Sequence, residues 1–257
     1  MRIRVFLFSF LALTFISLTP SRAATFEEKE KAVLRSEERL WAAVELLKNQ
    51  SKSEEGQVLY RLRFQNATVH IGGIMRWMLP YEKKLKQGDL EAQKVTGATY
   101  YDMIEYGHID IPNLLALQMS FALAISGVDP GGYLFDGTSK SLAEAIAGGH
   151  VKSQLAEAYF SQNYTDSIGE KKFEWDKARY KRLVKLSEQE YGLATALLAQ
   201  GEYYRSLNKK GNLDKNSDAY KEYIKWMHTA IEQGVYYKAM LLVHSWEVQK
   251  KMSGNGK

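Results

Sequence analysis

The chain reads as all-α, an α-solenoid of stacked antiparallel helical hairpins. Three observations predict this. Apolar residues recur at i, i+3, i+4 and i+7, and no segment alternates with the period of two that a strand needs. Four stretches, "MIEYG", "AIAGG", "SEQEYG" and "AIEQG", end at Gly107, Gly149, Gly192 and Gly234, at intervals of 42, 43 and 42 residues. Apolar stripes flank these glycines: Tyr220, Tyr223, Ile224, Met227, Ala230 and Ile231 before Gly234, then Ala239, Leu242, Val243 and Trp246 after it. A glycine so placed predicts a helix stop, taking the left-handed C′ conformation in which a side chain would clash. A second helix then packs back on the first. One hairpin cannot bury its seam on both sides, so the units stack. A non-repetitive bundle with glycine caps is the competing arrangement.

The elements follow in order. Arg2 and Arg4 precede an apolar run over residues 5–18, and Ser21-Arg22-Ala23 supplies small residues at −3 and −1. This is the pattern of a secretory signal peptide over 1–23, cleaved between Ala23 and Ala24. The run is shorter than the roughly 20 apolar residues that span a bilayer, which argues against a stable membrane anchor. Residues 1–23 hold three arginines and no acid, so the remainder carries 32 basic against 30 acidic residues. No basic block remains for a nucleic-acid partner. The chain has no cysteine, so an exported form must hold together by burial alone, which suits a bacterial periplasm.

Thr25-Phe26-Glu27-Glu28 matches a capping box, and Leu40, Ala43, Val44 and Leu47 continue as one helical face. Ser51 with Glu54 repeats the box, Gly72-Gly73 loosens the second helix and Pro80 ends it. Residues 24–79 form this N-terminal helical segment, 80–250 the repeat array and 251–257 a disordered tail. Within the array, 126–140 and 208–218 read as loops rich in Gly, Asp, Asn and Pro, and Ser141 with Glu144 forms a third box. After Gly192 the stripe is Leu193, Ala196, Leu197 and Tyr204.

The unit resembles the Sel-like repeat, a relative of the tetratricopeptide repeat. Gly192, Ala196, Gly201 and Tyr204 stand at offsets 0, 4, 9 and 12, and Gly88, Ala92, Gly97 and Tyr100 repeat them. The resemblance implies a right-handed solenoid whose small residues let helices approach closely and whose tyrosine closes the seam. Ala239 shifts the pattern by one residue at Gly234, Ser153 replaces the alanine after Gly149, and Gly88 falls outside the 42-residue register.

No catalytic constellation emerges, and no cofactor is expected. His108 and His150 both follow a hairpin glycine, but nothing supplies a third metal ligand; His70, His228 and His244 are scattered. Asp214, Asn216 and Asp218 open like a calcium loop, but Ala219 and Lys225 stand where the turn glycine and bidentate glutamate belong, so a turn and helix cap is expected. Asn66 and Asn163 head sequons that matter only in a eukaryotic secretory path. Tyrosine pairs at 100–101, 203–204 and 236–237 set one ring about 100° from the next. Tyr101, Tyr203, Tyr236 and Tyr237 are therefore candidates for contacting a partner, the alternative being that they seal seams. The resemblance implies a protein-binding role: an immunity protein that neutralises an envelope-acting toxin such as a type VI secreted phospholipase, or a scaffold of envelope machinery. A cell-wall enzyme is the third reading, since some exported Sel-like proteins are linked to such chemistry.

Overall fold

The first helix begins where its cap places it. In a computed structural model of the chain, the Thr25 N–H donates to Glu28 Oε2 at 2.7 Å and the Glu28 N–H donates to Thr25 Oγ1 at 3.3 Å. Each side chain satisfies a backbone donor that the helix leaves free. Helix α1 then runs Phe26–Gln50 and buries Val33, Leu40 and Val44. The structure describes residues 23–50, 87–107, 143–167, 173–208 and 211–252, and isolated positions between 52 and 84. Residues 1–22 of the expected signal peptide, Ser51, Asn66, His70, Gly72-Gly73, Pro80, His108, the expected loop over 126–140, Ser141 and the expected tail from 253 lie outside these residues, as does the Tyr100 side chain.

The protein is mostly helical, and among the described residues the one extended pairing is an isolated antiparallel bridge between Leu207 and Leu213. After α1 come α2 (Leu90–Gly107), α3 (Ala143–Ala147), α4 (Val151–Ser167), α5 (Lys177–Glu188), α6 (Gly192–Ser206), α7 (Asp218–Glu232), α8 (Tyr236–Val243) and α9 (Ser245–Met252). Helix α9 carries the fold two residues into the expected tail, and Lys251 there pairs with Glu45 of α1 at 2.8 Å.

Four of the described helix endings follow one rule, which differs from the one the glycine spacing predicts. At Gly234, φ is +72°; its N–H donates to the Ile231 carbonyl at 3.0 Å, and the Val235 N–H to the Ala230 carbonyl at 2.8 Å. That is a Schellman ending with glycine at C′, as expected. Gly149 (φ +81°) makes the same pair of bonds to Ile146 and, through His150, to Ala145. Gly88 (φ +74°) also occupies this position, although it falls outside the 42-residue register. Gly192 does not. The left-handed residue between α5 and α6 is Glu190 (φ +63°): its N–H bonds the Ser187 carbonyl, and Tyr191 bonds that of Leu186. Gly192 is the first residue of α6, and a Cβ there would lie 2.6 Å from Val235 Cγ1. Gly107 is the last residue of α2, the helix that follows the Gly88 joint. The even spacing therefore counts unlike positions, and the patterns at Gly88 and Gly192 lie two residues out of phase.

Close approach is where the small residues act as expected. A Cβ on Gly97 would fall on Ser153 Oγ and sit 2.8 Å from the Ser153 Cα, so α2 and α4 are nearly in backbone contact. Ala92 and Ala196 are buried. Gly201 faces aromatic rings rather than a helix backbone: its Cβ would overlap the Trp175 indole.

Helix α6 is the centre of the described packing. It touches α5 and α7, and also α4 and α8. Buried amides link three of these helices: Gln162 Nε2 donates to the Leu197 carbonyl at 3.0 Å and Gln200 Nε2 to the Leu242 carbonyl at 3.2 Å. Helix α1 returns from the N-terminus to pack on α7, α8 and α9. A linear array, in which each unit touches only its neighbours, would not make that contact.

Candidate functional site

Among the described residues a groove runs between α5 and α7, with α6 at one side of its floor. The segment before α5 enters it first. Asp176 caps α5 by accepting the Arg179 N–H at 2.7 Å, and this bond holds its carboxyl below the usual range. The cap fixes Phe173 and Trp175 just ahead of the helix. Their rings meet edge to face at 5.0 Å, and Trp175 meets Tyr180 at 5.2 Å. The Trp175 indole N–H donates to Glu202 Oε1 of α6 at 2.8 Å, and Arg205 Nη1 reaches both oxygens of that carboxylate at 2.9 and 2.8 Å. Glu202 is 1% exposed. Burial pushes its carboxyl up, while the Trp175 hydrogen bond and Arg205 oppose that shift. The close packing against Gly201 explains why no side chain fits there.

A cavity of about 780 Å³ opens over these residues and also touches Lys177, Lys181, Asp218 and Glu222. A second, of about 800 Å³, continues from Tyr180 past Val184 and Trp226 to Glu188, Glu190 and Glu232. Tyr180 lines both. Early residues of α5 face early residues of α7, and late face late, so the two helices run in the same direction.

The far end is tied together from below. Thr195 Oγ1 of α6 donates to Gln233 Oε1 at 2.7 Å, and Gln233 Nε2 donates to the Ser187 carbonyl at 3.0 Å. The Ser187 and Thr195 hydroxyls lie 2.7 Å apart. Since the Thr195 proton is used on Gln233, Ser187 is the donor of that pair. The network joins the C-terminal ends of α5 and α7 through α6, which keeps the groove open.

The expected tyrosine contacts fall elsewhere. Tyr203 is 8% exposed and packs its ring against Tyr204, Tyr223 and His244, so it is a core residue and not a partner contact. Its neighbour Tyr204 is the half-exposed member, set against Phe173 at 6.5 Å. Tyr101 is half-buried on α2 with Lys152 Nζ 5.3 Å from its ring centre. Tyr236 and Tyr237 are half-buried at the start of α8, Tyr237 against the core. None of the four lines the groove. The residues that do, Phe173, Trp175, Tyr180 and Trp226, carried a readable signal: three aromatics clustered in "FEWDKARY" across the start of a helix, and a tryptophan off the apolar stripe of α7.

The other polar positions have structural roles. His150 Nδ1 lies 2.7 Å from Ser153 Oγ at the start of α4, and burial lowers its pKa. His228 stands 3.3 Å from Glu232 one turn on. His244 is 3% exposed, 3.6 Å from Glu37 of α1, and burial holds its pKa below the usual histidine value. Asp214 forms the expected turn by accepting the Asn216 N–H at 3.1 Å, and Ser217 caps α7. Asn163 lies within α4. Among the described residues no group of three His, Asp or Glu side chains could hold a metal ion, and no helix is long and apolar enough to cross a membrane. Comparison of the chain with family models, with curated proteins and with solved structures finds no match in any of the three.

Proposed function

We propose that the chain is an exported protein-binding module, a stack of helical hairpins backed by α1, that grips a protein partner between α5 and α7. The observation that carries this reading is the groove itself. Large rings line it, and they are held by each other and by a buried carboxylate rather than free to collapse. Aromatic side chains ordered in advance lose little entropy on binding and serve as anchors. The Schellman joints favour hairpin stacking, and the Sel-like resemblance agrees with it, although its two fullest units are out of phase. The site offers one buried carboxylate with both oxygens engaged, which favours binding over catalysis.

The partner proposed is an envelope-degrading toxin, blocked by occlusion in the periplasm. An occluding inhibitor must outlast the toxin, so affinity should be nanomolar or tighter, about −12 kcal/mol. The test deletes the gene in a toxin-proficient strain and complements it with the wild type or with Tyr180→Ala. Expected results are loss of protection against sibling attack, rescue by the wild type, and weaker rescue by the variant. Truncating an aromatic anchor should weaken binding by roughly 2 kcal/mol. Full survival of the deletion strain would leave an envelope scaffold as the reading. Hydrolysis of a cell-wall substrate by the purified chain, lost on a single substitution, would replace binding with catalysis.

A further inference from the structure

Resting on the binding reading above, the groove has a direction. Helices α5 and α7 run the same way along it, so both N-termini lie at one end and both C-termini at the other. Their dipoles add, positive at the first end and negative at the second, and the antiparallel α6 offsets part of the sum. The side chains differ in the same sense: the first end holds carboxylates and bases together, with its lysines unpaired, and the second is acidic. Lys177 and Lys181 are exposed at the N-terminal end and, among the described residues, have no carboxylate within ion-pair distance. Acids at that end are mostly engaged: Asp218 with Lys221 at 3.2 Å, Glu222 with Lys225 at 2.9 Å, Glu202 with Arg205 and the exposed cap Asp176 with the Arg179 N–H, leaving exposed Glu174. At the C-terminal end Glu188, Glu190 and Glu232 are all exposed, with His228 3.3 Å from Glu232; Lys225, the one base lining this end, is paired with Glu222. Glu190 is held there in a left-handed conformation that glycine would take more readily. Between the charged ends lie Tyr180 and Trp226. Trp226 is 6% exposed, and its indole N–H lies near the Tyr180 hydroxyl without a hydrogen bond of standard geometry among the described residues.

We propose that the groove takes a dipolar polypeptide segment in one orientation, acidic residues over Lys177 and Lys181, basic residues over Glu188, Glu190 and Glu232, and an apolar or aromatic middle over Tyr180 and Trp226. The charged ends stand about ten helical residues apart, roughly 15 Å at the rise of an α-helix. An extended segment spans that with about five residues. A nucleic acid does not fit, because its phosphates would face three carboxylates at one end.

The probe is a seven-residue synthetic peptide, Asp-Asp-Leu-Tyr-Leu-Lys-Lys, with a nitroxide at its aspartate end. The readout is the indole N–H resonances of Trp175 and Trp226 in the full mature chain. The expected result is saturable shifts of both signals, with paramagnetic broadening of Trp175. Reversing both ends together (Lys177→Glu, Lys181→Glu, Glu188→Lys, Glu190→Lys) should move the broadening to Trp226. Reversing only the lysines should weaken binding about tenfold. Equal binding of all-acidic and all-basic control peptides, or broadening that ignores the reversal, overturns the orientation while leaving a groove that binds protein. No shift of either indole overturns occupancy by such a segment; the deletion assay then judges the binding role separately.

Discussion

At Gly192 and Glu190 the glycine code and the backbone part company. A glycine answers two needs, positive φ or a missing Cβ, and the sequence shows only the letter. Gly234 serves the first need and Gly192 the second. Both alanine substitutions should destabilise, for different reasons. Gly234→Ala meets nothing within 4 Å but must hold φ +72°, a cost of about 1 kcal/mol. Gly192→Ala has an ordinary helical backbone but drives a methyl into Val235, a β-branched side chain with little freedom to yield, at roughly 1–3 kcal/mol. Shortening the neighbour separates the two: Val235→Ala removes the 2.6 and 3.1 Å contacts but keeps its Cβ at 3.2 Å, so it should partly rescue Gly192→Ala and leave Gly234→Ala unimproved, read as thermal midpoints of the double variants. Glu190→Gly should raise the midpoint, by about 0.5–1 kcal/mol of relieved strain. A lower midpoint would mean that the carboxylate itself supports the joint. No sequence rule marks Glu190, because a left-handed glutamate is set by the helices on either side and not by its own propensity.

Individual helices were legible wherever the signal was local. The Thr25–Glu28 box starts α1, and the stripe from Tyr220 to Ala230 is buried on α7. What α1 packs against was not legible, because its partners lie far along the chain. The Tyr220 hydroxyl donates to Glu30 at 2.6 Å across 190 residues. Contact of that kind leaves no periodicity in either segment. It does make α1 part of the same cooperative unit as α7–α9, so Leu40→Ala, at a position 2% exposed, should cost about 2–5 kcal/mol and lower a single transition. A first transition confined to α1 would show that it docks loosely. The same interface titrates. His244 at the end of α8 faces Glu37 of α1, Glu247 of α9, and the rings of Tyr203 and Trp41. Burial lowers its folded pKa below the value near 6.5 of an unfolded histidine. The unfolded chain therefore binds the proton more readily. The stability from neutral His244 is fully present above about pH 6.5 and is lost as pH falls from there through the depressed folded value. His244→Phe should flatten that acid limb in urea titrations at pH 5 and pH 7; an unchanged difference between the two would assign the acid sensitivity to other groups.

For the molecule as a whole, the proposed export and the fold meet at one peptide bond. Small residues at −3 and −1 are the ground for proposing cleavage between Ala23 and Ala24. The structure adds a physical constraint at the next position. Glu28 Oε2 accepts the Thr25 N–H, and that hydrogen bond lowers the Glu28 carboxyl below its usual range. Cleavage before Ala24 leaves Thr25 N–H as a peptide donor and the capping box intact. Cleavage one residue later would turn it into a terminal ammonium, a positive charge at the positive end of the α1 dipole, and would remove the preceding peptide group. The box therefore favours a mature chain that begins at Ala24. N-terminal sequencing of protein from the periplasmic fraction should read Ala-Thr-Phe-Glu-Glu, and the chain starting at Ala24 should melt higher than one starting at Thr25, by the few tenths to about 1 kcal/mol that a charge at a helix terminus is worth. A start at Met1, or recovery only with membranes, would remove the export proposal and with it a periplasmic toxin as the partner. Equal melting of the two chains would leave export standing and show that the box tolerates a terminal ammonium.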